Sequence, residues 1–442
     1  MKRLPVAAAV LAALTSYSAF AADSEVKATD MLTDGWEIHG YGSMNYRMKD
    51  GQSFDTELGK PDYRSVGTSG KSSAQVEFVI KKHTEYGNGV YSDFIVRSEY
   101  GNGDSYYYSS PGNQKANNVA QFEVKEAYVA LGNLPYLPEN SEIWAGRRYL
   151  NRAAGGLSGE FWKQSSGQGA GIETKFDNGQ RGGIAVISAD PEAGTDTLPA
   201  DGARHTVTSV DLYYYGVQAL GGSFDFDLKW MYGANEDPKV GSDPADRGIG
   251  GAITYNRDYY GFNGWSQTGI AYGTGMAANR GVNFGSWSNG WKDDSKSLFA
   301  TTYGVATITD TVQLGTELTY WAPENMGWAD SNSEDKVTRY LIAARPSIKL
   351  NDNFRLEFTG SYAMEKLEGD NDWGRADDTT SFYTLEAATV FTVNADYFGR
   401  PQIKPYVTWV ATDDENAAGS IGITDKGEKS QTVFGIHAEI WF

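Results

Sequence analysis

Hydrophobic and polar residues alternate with a period of two at the end of the chain, in VFGIHAEIWF. One set of alternate positions is wholly apolar and consists of Phe434, Ile436, Ala438, Ile440 and Phe442. The other set mixes a small residue, an imidazole, a carboxylate and an indole, at Gly435, His437, Glu439 and Trp441. Successive side chains of a β-strand point to opposite faces, so the pattern predicts a strand with one apolar face.

The same alternation recurs along the whole chain, at 36–47, 73–82, 223–232 and 353–362. In the last of these segments, Phe354, Leu356 and Phe358 alternate with Arg355, Glu357 and Thr359. No helical periodicity persists beyond the N-terminal residues. We therefore predict an all-β fold.

The segments between the predicted strands have two sizes. Short turn-rich stretches at 85–90, 176–180 and 349–353 are typical of tight hairpins, whereas those at 101–119, 232–250 and 364–381 are long and polar. Short turns alternating with long loops are the plan of an outer-membrane β-barrel, and the chain length fits an even strand number in the high teens.

A soluble fold is the alternative. Sandwich domains would repeat at about 100 residues and β-helices at short fixed periods, and neither repeat is present. A last strand that ends on Phe442 favours the barrel, because the last strand must pair with the first to remove both sheet edges. We predict a transmembrane antiparallel β-barrel over residues 22–442, with the apolar face toward lipid and the polar face toward the lumen.

The N-terminus has the features of a secretory signal peptide. Lys2 and Arg3 precede an apolar run from Leu4 to Leu14, and Ala19 and Ala21 form a small-residue cleavage pattern. A membrane helix would need a longer apolar run. We predict that residues 1–21 are a cleaved signal peptide.

Composition narrows the function classes. The chain has no Cys, which excludes a disulfide framework, and its net charge of -19 argues against nucleic acid as a partner. Aromatic residues make up 13 % of the chain, too many for a disordered protein. Its polar composition suits a barrel in which every second residue faces water.

Several segments resemble the maltoporin family of sugar-specific outer-membrane porins. They are IHGYGS at 38–43, the block 125–152 with WAGRRYLNR, GQGAGIE at 167–173, GFN at 261–263, GRP at 399–401, and FGIHAEIWF at 434–442. The resemblance spans the mature chain, with divergent loops between these landmarks. It implies an eighteen-stranded barrel, a homotrimer, and a constriction loop folded into the pore.

The resemblance also implies a line of lumen aromatics on which sugar rings stack. Its matching positions here are Tyr41, Phe262, Phe398 and Trp441, with Gln75 at a further position and a tyrosine of 106–108 as a contribution to a neighbouring subunit. Sugar C–H faces suit aromatic rings. Strand alternation independently puts Tyr41 and Trp441 on the polar face. The alternative for any aromatic is a place in the membrane-interface girdle.

A polar track at the constriction is implied as well, and its charged donors and acceptors suit sugar hydroxyls. The matching positions are Arg64, Glu77, Lys125, Arg152, Glu160 and Phe161. Ser43, Ala154 and Gly159 stand where the family has charged residues, and Phe161 stands where it has a tyrosine. From these small residues we hypothesise a wider pore, less selective for maltodextrins and closer to the sucrose or β-glucoside members.

We predict an outer-membrane channel for facilitated diffusion of oligosaccharides or disaccharides, with sugar, outer-membrane lipid or lipopolysaccharide, and two further copies of the chain as partners. A general diffusion porin and a secreted carbohydrate-binding protein are the alternatives. An outer-membrane enzyme would need a catalytic group, and His39 and His437 on the first and last strands are the nearest approach to one. We predict no enzyme activity, cofactor or metal site.

Overall fold

The computed structural model describes residues 35–54, 56–59, 63–71, 73–101, 121–189, 206–234, 245–281, 291–326, 336–368 and 379–442. The predicted signal peptide and the tyrosines at 106–108 lie outside these ranges, so both remain predictions.

Within the described residues the fold is all-β, as predicted. The strands are β1 Trp36–Lys49, β2 Gln52–Ser53, β3 Ala74–Glu85, β4 Tyr91–Gly101, β5 Gln121–Gly132, β6 Ser141–Ala154, β7 Phe161–Lys175, β8 Arg181–Ala189, β9 Thr206–Ala219, β10 Gly222–Ala234, β11 Arg247–Tyr259, β12 Phe262–Gly275, β13 Lys296–Thr309, β14 Val312–Glu324, β15 Lys336–Asn351, β16 Phe354–Glu368, β17 Thr379–Thr392, β18 Gln402–Thr412 and β19 Ser430–Trp441. Two short 3-10 helices, η1 Thr68–Gly70 and η2 Glu415–Ile421, lie in connections. Across the described part of the chain, no helix has the length and apolar character needed to cross a membrane.

Eighteen of the strands in the described residues, all except the two-residue β2, form one closed antiparallel barrel. Each strand pairs with its neighbour along the chain, and β19 closes the ring by pairing with β1. Tyr41 lies opposite Trp441 and Met48 opposite Phe434 in this seam. Closure removes the two sheet edges, which confirms the role predicted for the last strand.

The connections differ in length at the two ends of the barrel. The turns predicted at 85–90, 176–180 and 349–353 join β3 to β4, β7 to β8 and β15 to β16, which confirms them as hairpins. The connections after β4, β10 and β16 are long, as predicted. Short turns therefore share one end of the barrel and long connections the other, as in bacterial outer-membrane barrels.

Alternation sorts the side chains to the two faces of the wall. On β1 and β19 the outer face carries exposed apolar residues, including Met44, Tyr46, Phe434, Ile436 and Ile440. The inner face carries buried polar residues, including Ser43, Asn45, Arg47, His437 and Glu439. The outer face of the wall is thus apolar and the inner face polar, as the sequence indicated, which is the arrangement that a lipid-facing barrel requires.

Much of the interior is packed with apolar side chains. A cluster of buried residues joins inner-face aromatics of β13 and β14 to residues of the connections, including Tyr63, Leu157, Phe299, Tyr303 and Trp321. The Tyr63 ring lies 5.6 Å from that of Phe299 and 6.2 Å from that of Trp321. Connections at the long-loop end therefore contact the inner wall and do not only extend into solvent.

Candidate functional site

The seam between β1 and β19 carries two aromatic residues on the inner face. Tyr41 and Trp441 are directly opposite each other in the register of these two strands. The Tyr41 hydroxyl donates to Glu439 Oε1 at 3.1 Å, and the guanidinium of Arg400 lies 5.0 Å from the centre of the Trp441 ring. The seam therefore combines aromatic surface with charged donors and acceptors.

Glu439 is the centre of the polar groups at this seam. Its carboxylate is 4 % exposed and accepts from Lys71 Nζ at 3.0 Å, Arg400 Nε at 2.6 Å and Gln402 Nε2 at 2.8 Å, in addition to Tyr41. Two cations offset the desolvation of one buried carboxylate. Neither Lys71 nor Arg400 was among the residues predicted from the sequence. Each belongs to a connection between strands, and the alternation of residues within strands does not define the path of a connection.

A second group of aromatic rings lies near the short-turn end. Phe398 belongs to the connection between β17 and β18, and its ring lies 6.2 Å from that of Trp265 on β12. The Trp265 ring is 6.2 Å from that of Tyr303. Burial raises the pKa of the hydroxyl of the neighbouring Tyr397.

Two of the four predicted slide residues thus lie together at the seam, and Phe398 contacts the second group. Phe262 is the first residue of β12 and is 72 % exposed. Trp265, three residues further, was missed by the sequence reasoning. The signal that could have found it is alternation, since Trp265 shares its face with Gln267 and Gly269, whereas Ile270 and Tyr272 are exposed on the other face.

The predicted polar track divides into separate ion pairs. Arg64 binds Glu365 at 2.8 Å, and Arg339 binds the same carboxylate. Glu77 binds Arg97 at 2.6 Å and accepts a hydrogen bond from Gln75 at 3.2 Å.

Lys125, also predicted for the track, is 1 % exposed and lies 3.9 Å from Glu99. It sits where the register of β4 and β5 shifts, so Lys125 and its neighbour Glu126 are both buried. An extra residue in one strand re-aims side chains in this way.

Arg152 and Phe161 contact each other across hairpin β6–β7. The Arg152 guanidinium lies 4.0 Å from the centre of the Phe161 ring and 4.2 Å from that of Tyr149. Glu160 is half-buried beside them. The structure thus groups Arg152, Glu160 and Phe161, while Arg64, Glu77 and Lys125 each have other acidic or basic neighbours.

The tip of hairpin β6–β7 binds to strand β14, which is distant from this hairpin in the order of strands around the barrel. The register of β6 shifts between Leu150 and Ala153, and Asn151 has a left-handed φ of 51°. Beyond this bulge, the backbone N–H groups of Leu157 and Ser158 donate to Glu317 on β14 at 2.7 and 2.9 Å. The Ser158 hydroxyl donates to the same carboxylate at 2.6 Å.

The two seam histidines do not meet. His437 lies opposite Asn45 and contacts the Ser43 hydroxyl at 2.9 Å, whereas His39 contacts Glu37 at 3.1 Å. Both strands place these residues on the same face, but six positions of β1 separate His39 from Asn45. Elsewhere in the described ranges, no group of three or more His, Asp or Glu side chains has the geometry to hold a metal ion.

Comparison with known proteins identifies the family of this chain. A family model described as LamB porin matches residues 37–442. The chain belongs to the LamB porin family. It is 23 % identical over 468 residues to the maltoporin of Vibrio cholerae serotype O1, with 100 % of both chains covered. It is 22 % identical over 444 residues to maltoporin 1 of Klebsiella pneumoniae subsp. pneumoniae, with 98 % of each covered.

Among solved structures, the anion-selective porin from Comamonas acidovorans has a TM-score of 0.43 and 15 % identity, over 92 % of this chain and 100 % of that one. The family match confirms the resemblance that the segments at 38–43 and 125–152 indicated. This LamB-family protein is a porin of the outer membrane of a Gram-negative bacterium, and its family and barrel point to a channel rather than an enzyme.

Proposed function

We propose that this porin carries oligosaccharides or disaccharides by facilitated diffusion along a line of aromatic residues and the charged groups beside them. The proposed slide comprises Tyr41, Phe262, Phe398 and Trp441. The proposed track comprises Arg64, Glu77, Lys125, Arg152, Glu160 and Phe161. Each contact is weak and repeated, so that a sugar enters readily and still leaves.

The observation that supports this proposal most directly is the pairing of Tyr41 with Trp441 across the seam. Apolar sugar faces stack on aromatic rings, while hydroxyl groups at the ring edge bind charged donors and acceptors. Lys71 and Arg400 supply such groups, and both lie within hydrogen-bonding distance of Glu439. The names of the maltoporin relatives add support for a sugar as the substrate.

The test is ion current through the purified protein in a planar bilayer, titrated with maltotriose, sucrose, cellobiose and raffinose. We expect saturable block by at least one sugar. Trp441→Ala should then weaken the binding of that sugar by about 1 kcal/mol, because one stacking surface is lost. This corresponds to a rise of about fivefold in the half-blocking concentration.

Tyr46→Ala is the matched control. Tyr46 is an exposed aromatic on the outer face of β1, the same strand that carries Tyr41 on its inner face. Its loss should leave sugar block unchanged. Equal weakening by both variants would mean that the aromatic effect is not exerted from the lumen.

We further propose that the inward tip of hairpin β6–β7 narrows the pore but leaves it wider than in a maltoporin. Small residues at Ala154 and Gly159 support this, since they take the place of charged side chains. The same recordings give the single-channel conductance, which we expect to exceed that of the Vibrio cholerae maltoporin measured in parallel. An equal or smaller conductance would contradict the wider pore.

We propose a homotrimer as the assembled state, on the basis of the family resemblance. Native mass spectrometry of the detergent-extracted protein should give three times the mass of one mature chain. A monomeric mass in mild detergent would contradict it.

A general diffusion porin is the second candidate. It is favoured by the tip of hairpin β6–β7, where Leu157 and Ser158 direct their backbone donors to Glu317 and not to the lumen. Current that none of the four sugars blocks would support this second candidate.

A further inference from the structure

Arg280 lies where three connections meet inside the barrel. It belongs to segment 276–281, which follows β12. Its guanidinium lies 4.9 Å from the ring centre of Tyr63, 5.0 Å from that of Trp321 and 5.9 Å from that of Phe299. Aromatic faces attract a cation at these distances.

The same guanidinium also holds the hairpin β6–β7. Arg280 Nη1 donates to the backbone oxygen of Phe161 at 2.7 Å. Tyr63 comes from the connection before β3, Phe161 from hairpin β6–β7, and Trp321 from the wall strand β14. One side chain therefore joins three separate connections to one part of the wall.

Segment 276–281 is itself fitted closely to the inner wall. A Cβ added to Gly250 on β11 would lie 1.8 Å from the backbone oxygen of Gly281, and one added to Gly273 on β12 would lie 2.0 Å from that of Ala277. Only residues without a side chain allow backbone to approach so closely. These two glycines thus form a cradle that seats the segment carrying Arg280.

The backbone of Arg280 is in an unfavourable conformation. Its φ of 55° lies in the left-handed region, which costs a non-glycine residue free energy. Glycine would be the better residue there on backbone grounds alone. The Arg280 side chain is 6 % exposed, and in the described part of the chain its guanidinium contacts the three aromatic rings and the backbone oxygen of Phe161, none of which is a carboxylate. Neither the backbone nor a salt bridge accounts for an arginine here.

We propose that Arg280 is a positioning residue that fixes hairpin β6–β7 and residues 63–71 against β13 and β14, and thereby sets the width of the narrowest part of the pore. The inference rests on the proposed constriction by hairpin β6–β7. A planar fork that donates to a carbonyl while its face lies among aromatic rings is a geometry that lysine does not reproduce.

The experiment compares Arg280→Gly, Arg280→Lys and the unsubstituted protein in planar bilayers. Glycine relieves the backbone conformation and removes the guanidinium, so the barrel should remain folded while conductance rises, by about twofold if the hairpin leaves the constriction. Arg280→Lys keeps the charge and should raise conductance without changing the ratio of cation to anion permeability. Arg280→Gly should also shift that ratio toward cations.

Gly250→Ala provides an independent test with Arg280 intact. The added methyl group would collide with the backbone of Gly281 and displace segment 276–281 from the wall. Conductance should therefore rise, as in the Arg280 variants. Arg257→Ala is the control, since Arg257 on β11 pairs with exposed Asp258 beside a short turn. Its conductance should not change.

Unchanged conductance in both Arg280 variants would overturn the proposal, as would a rise of equal size in Arg257→Ala. The result for the Arg280 variants can be distinguished from the result of the sugar titration. Sugar block with unchanged conductance in the variants would refute the role of Arg280 and leave the proposed function intact. A rise in conductance without block by any sugar would refute the proposed substrate class and leave the role of Arg280 intact.

Discussion

Glu439 accepts hydrogen bonds from four side chains, those of Tyr41, Lys71, Arg400 and Gln402, and its charge offsets those of Lys71 and Arg400. Replacing one partner of a buried ion pair leaves the other charges without compensation. We expect Glu439→Gln to lower the free energy of unfolding by about 3 kcal/mol, measured by urea titration of the folded porin. The two remaining cations should also shift the reversal potential in a KCl gradient toward anion preference.

Asp425→Asn is the control for that change. Asp425 pairs with Lys49 at the long-connection end, and its side chain is more than half exposed. Exposed pairs contribute little to stability. If Asp425→Asn lowered the free energy of unfolding as much as Glu439→Gln, burial of the Glu439 carboxylate would not be the cause of the loss of stability.

The positions of Tyr41 and Trp441 could be predicted from the sequence, whereas that of Arg280 could not. Alternation assigns a face within one strand, and the register of the seam then brings two inner residues together. The contacts of Arg280 depend on the paths of connections, which local pattern does not determine. Trp265 is intermediate, because its strand has the pattern but Gly264, with φ of 126°, interrupts it.

At the scale of elements, the small residues of hairpin β6–β7 have a function that their sequence did not indicate. A Cβ on Gly155 would lie 2.2 Å from Glu317 Oε1, and one on Gly156 would lie 3.4 Å from the Tyr303 ring. Gly155 therefore allows the tip to approach Glu317 on the wall, whereas a side chain at Gly156 would make ordinary contact with the Tyr303 ring. A tip held against one wall leaves space on the other side, so close packing and a wider pore are compatible.

We expect Glu317→Gln to loosen this tip. Glu317 is fully buried and accepts three hydrogen bonds from Leu157 and Ser158, and hydrogen bonds to a charged acceptor are stronger than those to a neutral amide. The expected result is greater open-channel current noise and a higher mean conductance, measured in single-channel recordings.

Glu324→Gln is the matched control on the same strand. Glu324 lies at the end of β14, where it pairs with Lys296 and Lys336 at the barrel rim. Noise that rises equally in both variants would assign the effect to the charge of β14 and not to the hairpin.

At the scale of the whole molecule, the barrel and its closure were accessible from the sequence because every strand repeats one signal. Lipid-facing positions must be apolar and lumen-facing positions polar, so errors in single segments do not accumulate. The strand number came from the family resemblance and not from counting. The packing of the interior could not be predicted from the sequence, because it joins residues such as Tyr63 and Trp321 that are far apart in the chain.

Closure itself gives the last prediction. Gly40 and Phe442 exchange backbone hydrogen bonds of 2.7 and 3.1 Å, and a Cβ on Gly40 would lie 2.3 Å from the Phe442 ring and 2.7 Å from the backbone oxygen of Glu77. Gly40→Leu should therefore push the last residue off the first strand and cost about 1–3 kcal/mol, the usual penalty of overpacking. The fraction of folded barrel in unheated samples on gel electrophoresis should fall. Gly87→Ala, where an added Cβ meets nothing within 4 Å, should fold as the parent does. Equal folding of both variants would mean that the terminal residue is not needed to close the ring.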